Sequence, residues 1–412
     1  MSGLLARRPA FARLWAAGTI SLIGDWLSLV AVSLLAVDRG GGALALAGVF
    51  AAHALPGALA SPLAGVLVDR LDRRRLLVGG ASIQAALTLV MAAGAAADAL
   101  AVVQLALLVR SAVAALVPPT EAAAVRQLVT RDELLAANAL LASTWSAAFV
   151  VGMALGGVLA MAGPVLAIGL DAASFVACAA VAITLPALPA PVAATAAAPA
   201  SRVRIVIVDL RTALGEAIAQ PRLLRATLAK VPVAIAGGVG WLALNLIAAA
   251  QAPFGTAALS LGVLQAVRGA GTGLGPVLAT TLERRGLAHG HLVAAAYTLA
   301  FAGMAAFACG AGAVGLVAAA LAWGTGSGAN WVLSQAELQR RAGDHVIGRL
   351  AALDELAVAL AMITGATAAA VAIDGGHLVR TTLLTAVAGG FAAWAALVAL
   401  TRGGRREPAG PR

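Results

Sequence analysis

Apolar positions in this chain neither alternate nor recur at every third or fourth residue; they run on without a break. Continuous apolar stretches occupy 11–37, 44–68, 76–97, 99–117, 135–161, 165–185, 224–250, 257–282, 291–308, 313–335, 350–373 and 378–400. Each is close to or above the roughly 20 residues that carry a helix across a hydrocarbon core. The pattern predicts an all-α membrane protein with twelve transmembrane helices and both termini on one side. The first stretch follows Arg7 and Arg8 and is too long for the apolar region of a cleaved signal peptide, so it is expected to remain as helix 1.

The pattern is interrupted once. After Leu185 come prolines at 186, 189, 191 and 199, then a charged stretch with Arg202, Arg204, Asp209, Arg211 and Glu216. This reads as a flexible linker leading into a short helix. It divides the chain into a six-helix bundle over 1–185, a linker over 186–222, and a second six-helix bundle with a tail over 223–412.

An internal repeat agrees with that division. Adding 214 to the numbers of GALASPLAGVLVDR (57–70) gives GTGLGPVLATTLER (271–284), which pairs Gly57 with Gly271, Pro62 with Pro276, Asp69 with Glu283 and Arg70 with Arg284. At an offset of 212, Gln127 and Asp132 meet Gln339 and Asp344. Two parallel six-helix halves are a known way to build a transporter.

Composition narrows the class further. Only 11% of the residues are charged and 61% are hydrophobic, against roughly 25% charge in a soluble domain. The net charge of +10 is explained by topology. Of the 28 basic residues, 24 sort to the side of the termini, Arg39 and Arg380 to the other side, and Arg110 and Arg268 to the spans. The positive-inside rule then puts both termini in the cytoplasm. A single lysine against 27 arginines, with abundant alanine, suggests a GC-rich genome.

Several chemistries are excluded. There is no GxxxxGK[ST] loop, HExxH or GxSxG, and five scattered histidines form no cluster, so neither an enzyme nor an ATP-driven pump is expected within this chain. Cys178 and Cys309 lie inside apolar runs and form no metal or disulfide framework. No cofactor, no metal and no nucleic-acid partner is expected.

The chain resembles the major facilitator superfamily. The resemblance is carried by GVLVDRLDRRR (65–75), which looks like the superfamily's loop signature between helices 2 and 3. ISLIGDWLSLVAVSLLA (20–36), LVTRDELLAANALLASTWSAAFVVGMALGG (128–157), LDAASF (170–175) and the stretch 339–349 look like its branch of bacterial siderophore and multidrug exporters. The resemblance implies that Gly65, Asp69, Arg70, Arg73 and Arg74 form a gating latch to helix 11; a topology anchor is the alternative. Asp72 stands where the superfamily usually has glycine. Gly152, Gly156 and Gly157 match the glycines of the exporters' helix 5 motif, but Met153 replaces its proline. Packing of small residues survives that change and the kink does not.

Charges inside spans are the sharper signal, since each costs roughly 2.5–3.5 kcal/mol at a helix centre on insertion scales. Asp25 lies near the middle of helix 1, Arg110 of helix 4 and Arg268 of helix 8. The superfamily's architecture implies that helices 1 and 4 line the cavity. Asp25 and Arg110 then form either a proton-coupling pair or a fixed ion pair. Arg268 is open to Asp25, to an anionic substrate, or to Asp354 and Glu355. Asp171 on peripheral helix 6 and His53 in helix 2 read as packing residues, while Trp26, Trp145, Trp241, Trp323 and Trp331 are candidates for cavity or interface.

The expectation is a monomeric secondary transporter in the lipid bilayer of the bacterial cytoplasmic (inner) membrane that exports a small amphipathic organic compound by alternating access, with proton antiport as the coupling. A lysolipid or lipid facilitator, and a transport-inactive scaffold or sensor, are the alternatives.

Overall fold

In a computed structural model the described residues are 2–39, 41–190, 208, 211–310, 312–343 and 346–402, with the backbone alone for 2, 61–63, 65, 66, 69 and 400–402. Most of the linker (191–207, 209 and 210), the tail beyond 402 and Asp344 of the repeat lie outside them. Twelve long helices follow in order. They are α1 (Pro9–Asp38), α2 (Gly42–Arg70), α3 (Arg73–Ala96), α4 (Leu100–Leu128), α5 (Arg131–Ala160), α6 (Pro164–Ile183), α7 (Pro221–Gln251), α8 (Ala257–Arg284), α9 (His289–Cys309), α10 (Gly312–Arg341), α11 (Ile347–Asp374) and α12 (Val379–Arg402). A short helix, Ser2–Arg7, precedes α1, and a helical stretch over 211–219 precedes α7.

All but α8 are apolar enough to span by composition alone. α8 carries Arg268, Gln265 and five glycines, and those glycines let its backbone lie against α5 and α10. Pairing follows the repeat. α1 packs on α5 and α6 as α7 packs on α11 and α12, and α3 lies on α4 as α9 lies on α10. The two groups of six meet through α5 against α8 and α2 against α11. α1 and α7 are the most buried helices, whereas residues such as Leu59, Leu105 and Val158 turn outward, as lipid-facing positions do.

One expected boundary moves. The apolar run over 99–117 stops at Pro118 and Pro119, yet α4 continues to Leu128 after a turn at 115–116. Prolines in the first turn of the new segment cost nothing, because their missing N–H groups would have had no intrahelical acceptor.

Caps fix the entries. Thr130 and Glu133 form a reciprocal capping box at the start of α5. Arg8 Nε donates to Glu133 Oε2 at 2.8 Å, which ties the chain start to that box. Asp72 caps α3 by accepting from Arg75 N at 3.0 Å, and its other oxygen accepts from Leu188 N at 2.9 Å. The residue that departs from the usual glycine thus has a structural task.

The two groups are clamped at the face opposite the termini. There Asp374, at the end of α11, accepts from the first free backbone N–H groups of α2, Ala43 at 2.8 Å and Leu44 at 2.9 Å. Gly42 makes this possible with a φ of +68°, and a Cβ on it would stand 2.7 Å from Asp374 Oδ1. Phe50 and Trp241 add a ring contact at 4.7 Å.

Candidate functional site

Three charged side chains from three helices converge inside the first group. Arg110 (α4) is 2% exposed. Its Nη1 donates to Asp171 Oδ2 (α6) at 2.6 Å and lies 3.0 Å from Asp25 Oδ1 (α1). Asp171, 0% exposed, also accepts from Ser28 Oγ at 2.6 Å. Gly24 lets α1 come this close, since a Cβ there would lie 2.6 Å from Asp171 Oδ1. Asp25 differs from its partners in being 25% exposed, and it opens on a cavity of 260 Å³ at the end of the bundle that holds the termini.

That cavity has an apolar wall and acidic polarity. Trp15, Leu22, Trp145 and Phe175 contribute the wall, Asp25 and Glu121 contribute carboxylates, and among the described residues no lysine or arginine lines it. Glu121 lies within the second segment of α4. Cys178 also lines the cavity.

From Asp25 a band of rings leads toward the second group. Trp26 lies 5.7 Å from Trp145 and 4.7 Å from Phe149, and its Nε1 is buried without a hydrogen-bond partner among the described residues. His53, expected to be a satisfied packing residue, stands against Trp26 at 5.7 Å, and its Nδ1 has no hydrogen-bond partner among the described residues. Arg268 lies beyond, 5.5 Å from the Phe149 ring centre and 5.2 Å from that of Trp323. Its Nε donates to Gln265 at 3.0 Å. Among the described residues no carboxylate pairs with it. Asp354 and Glu355 are engaged elsewhere: Lys230 Nζ donates to Asp354 Oδ2 at 2.5 Å and to Gln335 at 3.0 Å, and lies 3.8 Å from Glu355. Lys230, counted among the loop cations, is a buried residue of α7.

The helix 5 glycines are contact points between backbones. A Cβ on Gly152 would meet Ile23 O at 2.8 Å, one on Gly156 would meet Leu27 O at 2.7 Å, and one on Gly157 would meet Gly262 Cα at 2.8 Å. The first two hold α5 to α1 and the third holds α5 to α8 across the two groups. Met153 is buried beside them.

Two arginines of the loop signature bond within their own half of the chain. Arg73 Nη1 donates to Pro189 O at 2.6 Å, and Arg74 Nη2 donates to Ile183 O at 2.5 Å, the carbonyl that ends α6. Cations at a helix C-terminus satisfy free carbonyls and the helix dipole. No ion pair joins Arg73 or Arg74 to α11 among the described residues. Arg70 ends α2, and Gly65 and Asp69 are described by their backbone alone.

Twelve membrane-spanning helices in two related groups, with ionisable side chains buried among them, define a polytopic membrane protein with a functional interior. The chain matches the model of the Major Facilitator Superfamily over residues 14–366 and belongs to that superfamily of membrane transporters. Its fold is similar to that of the nucleoside transporter NupG, at 13% identity and a TM-score of 0.76 over 95% of this chain and 98% of that one. It is also similar to a bacterial homolog of the human lysosomal transporter Spinster in an inward-facing, unoccupied conformation. That match has 15% identity and a TM-score of 0.72, over 98% of this chain and 99% of the other. A structure of a proton-dependent oligopeptide transporter matches at 15% identity and 0.69, covering 95% and 97% of the two chains. No curated protein matches.

Proposed function

We propose that this protein exports a small, cationic, amphipathic organic compound from the cytoplasm by rocking of α1–α6 against α7–α12, in exchange for protons. One observation carries the reading. Asp171 by itself neutralises Arg110 and hydrogen-bonds to it directly, so Asp25 is a surplus carboxylate, and it is the only one of the three that a cavity reaches. The cluster holds one positive and two negative groups. In a low-dielectric interior its net charge of −1 is neutralised either by a proton or by a cationic cargo. Competition of the two for one group is the physical basis of exchange. The apolar ring-lined wall suits the body of an amphipath, and the second carboxylate, Glu121, favours a cation over an anion.

Alternating access needs a site that each face reaches in turn. The clamp at Asp374 and at Gly157–Gly262 closes one face, and the cavity to Asp25 lies toward the other. The test is transport in everted vesicles over a matched panel of cationic, neutral and anionic aromatic dyes, with and without a pH gradient. Accumulation of cationic dyes alone, lost when the gradient is collapsed, is the expected result. Equal handling of anionic dyes, or no response to the gradient, would overturn it.

A further inference from the structure

The two carboxylates of the Asp25 cavity are held apart by a distance that α1 itself sets. Glu121 reaches α1 at Gly18, where a Cβ would stand 3.1 Å from Glu121 Oε1. Gly18 and Asp25 belong to one unbroken helix, and both line the cavity. Residues i and i+7 share a helix face, and a rise of about 1.5 Å per residue puts about 10 Å between them along the axis. Glu121 therefore sits at the end of the slot nearer the start of α1, and Asp25 two turns deeper.

Neither carboxylate is matched by the protein. Asp25 lies 3.0 Å from Arg110, but Asp171 already neutralises that arginine. Glu121 has no hydrogen bond or ion pair among the described residues. Hydroxyls along the slot are spent on their own helices: Ser21 Oγ donates to Gly18 O at 3.2 Å, Thr19 Oγ1 to Trp15 O at 2.7 Å and Thr144 Oγ1 to Leu140 O at 2.8 Å. Trp15, Trp145 and Phe175 supply aromatic wall, which favours an ammonium group or an apolar linker equally well. At 260 Å³ the cavity is slightly smaller than the usual ligand site of about 300–1,000 Å³, so its occupant is slender.

We propose that the cargo is a linear dication, with one cationic centre at Asp25, a second at Glu121, and an apolar linker of about 10 Å between them. The assignment rests on the export reading above and specifies its substrate class. A monocation would satisfy one end of the slot and leave the other carboxylate to a proton, whereas a dication satisfies both. A compact dication would not span the two turns of α1.

Calorimetric titration of the purified full chain with bis(trimethylammonium)alkanes of graded linker length tests this. The control at each length is the ω-hydroxyalkyl-trimethylammonium analogue, which keeps the chain and lacks the second charge. Affinity should peak at about six to eight methylenes, the extended length that matches the axial spacing. At the peak the dication should bind at least about tenfold more tightly than its analogue, and Glu121→Gln should remove most of that advantage. The linker series is read on the parent protein, so it decides the matter even where Glu121→Gln fails to purify. A flat dependence on linker length, equal affinity for dication and analogue, or an advantage undiminished in Glu121→Gln would each overturn the assignment, and export of monocationic dyes would still stand. Peaked binding of dications together with no gradient-driven flux of any cation in vesicles would instead uphold the dication site and overturn the exchange reading.

Discussion

An arginine buried in a helical bundle is tolerated when a carboxylate neutralises it and the remaining polar atoms find partners. Asp171 supplies this for Arg110 through a 2.6 Å hydrogen bond, and Ser28 satisfies the same carboxylate oxygen. Asp171→Asn should therefore lower the stability of the purified protein by about 3 kcal/mol, the low end of such removals, because Asp25 still faces Arg110. Thermal unfolding in detergent measures it. Asp25→Asn should unfold close to the parent temperature, and equal losses in the two variants would contradict the division of roles. Asp25 and Arg110 were legible in the sequence, because a charge in an apolar run is rare. Asp171 and Glu121 were visible as letters but not as partners. A helix at the edge of a bundle still turns one face inward, and with apolar residues all round no periodicity shows which face that is.

At the scale of helices, closure of one face rests on two devices that hydropathy does not register. One is the cap that α11 places on α2 through Asp374, a residue that in sequence falls between the apolar runs 350–373 and 378–400. The other is the approach of α5 to α8 at Gly157 and Gly262. Removing the cap with Asp374→Ala should favour the state open at that face by about 1–2 kcal/mol, or roughly 5–30-fold in population. A reporter cysteine at Ser33, 2% exposed on α1, in a background with Cys178 and Cys309 changed to serine, should then react faster with a soluble maleimide. An unchanged labelling rate would show that the cap does not hold the closed state. Twelve helices and their order could be read from the runs of apolar residues. The length of α4 could not, since Pro118 and Pro119 look the same in sequence whether they end a helix or begin its next segment. The loop signature likewise marked the positions of Arg73 and Arg74, but not that Arg74 would meet the end of α6 and Arg73 the segment that follows it.

For the whole molecule, orientation and coupling are the two claims that matter. The loop asymmetry of basic residues predicts that Ala288→Cys, between α8 and α9, is shielded from an impermeant thiol reagent in intact cells, and that Ala162→Cys, between α5 and α6, is labelled; both sites are exposed in the structure. The reverse pattern would invert the direction of transport. The proposed coupling depends on Asp25 being a surplus carboxylate that a proton and a cationic cargo occupy in turn. Asn at this position imitates the protonated group, so the variant should fold and still exchange cargo downhill but lose the response to a pH gradient. The decisive measurement is cationic dye flux into proteoliposomes of the parent and of Asp25→Asn, each with and without an imposed pH step. The account predicts gradient-driven accumulation in the parent and none in the variant; a folded Asp25→Asn protein that still concentrates dye when the step is applied would contradict it.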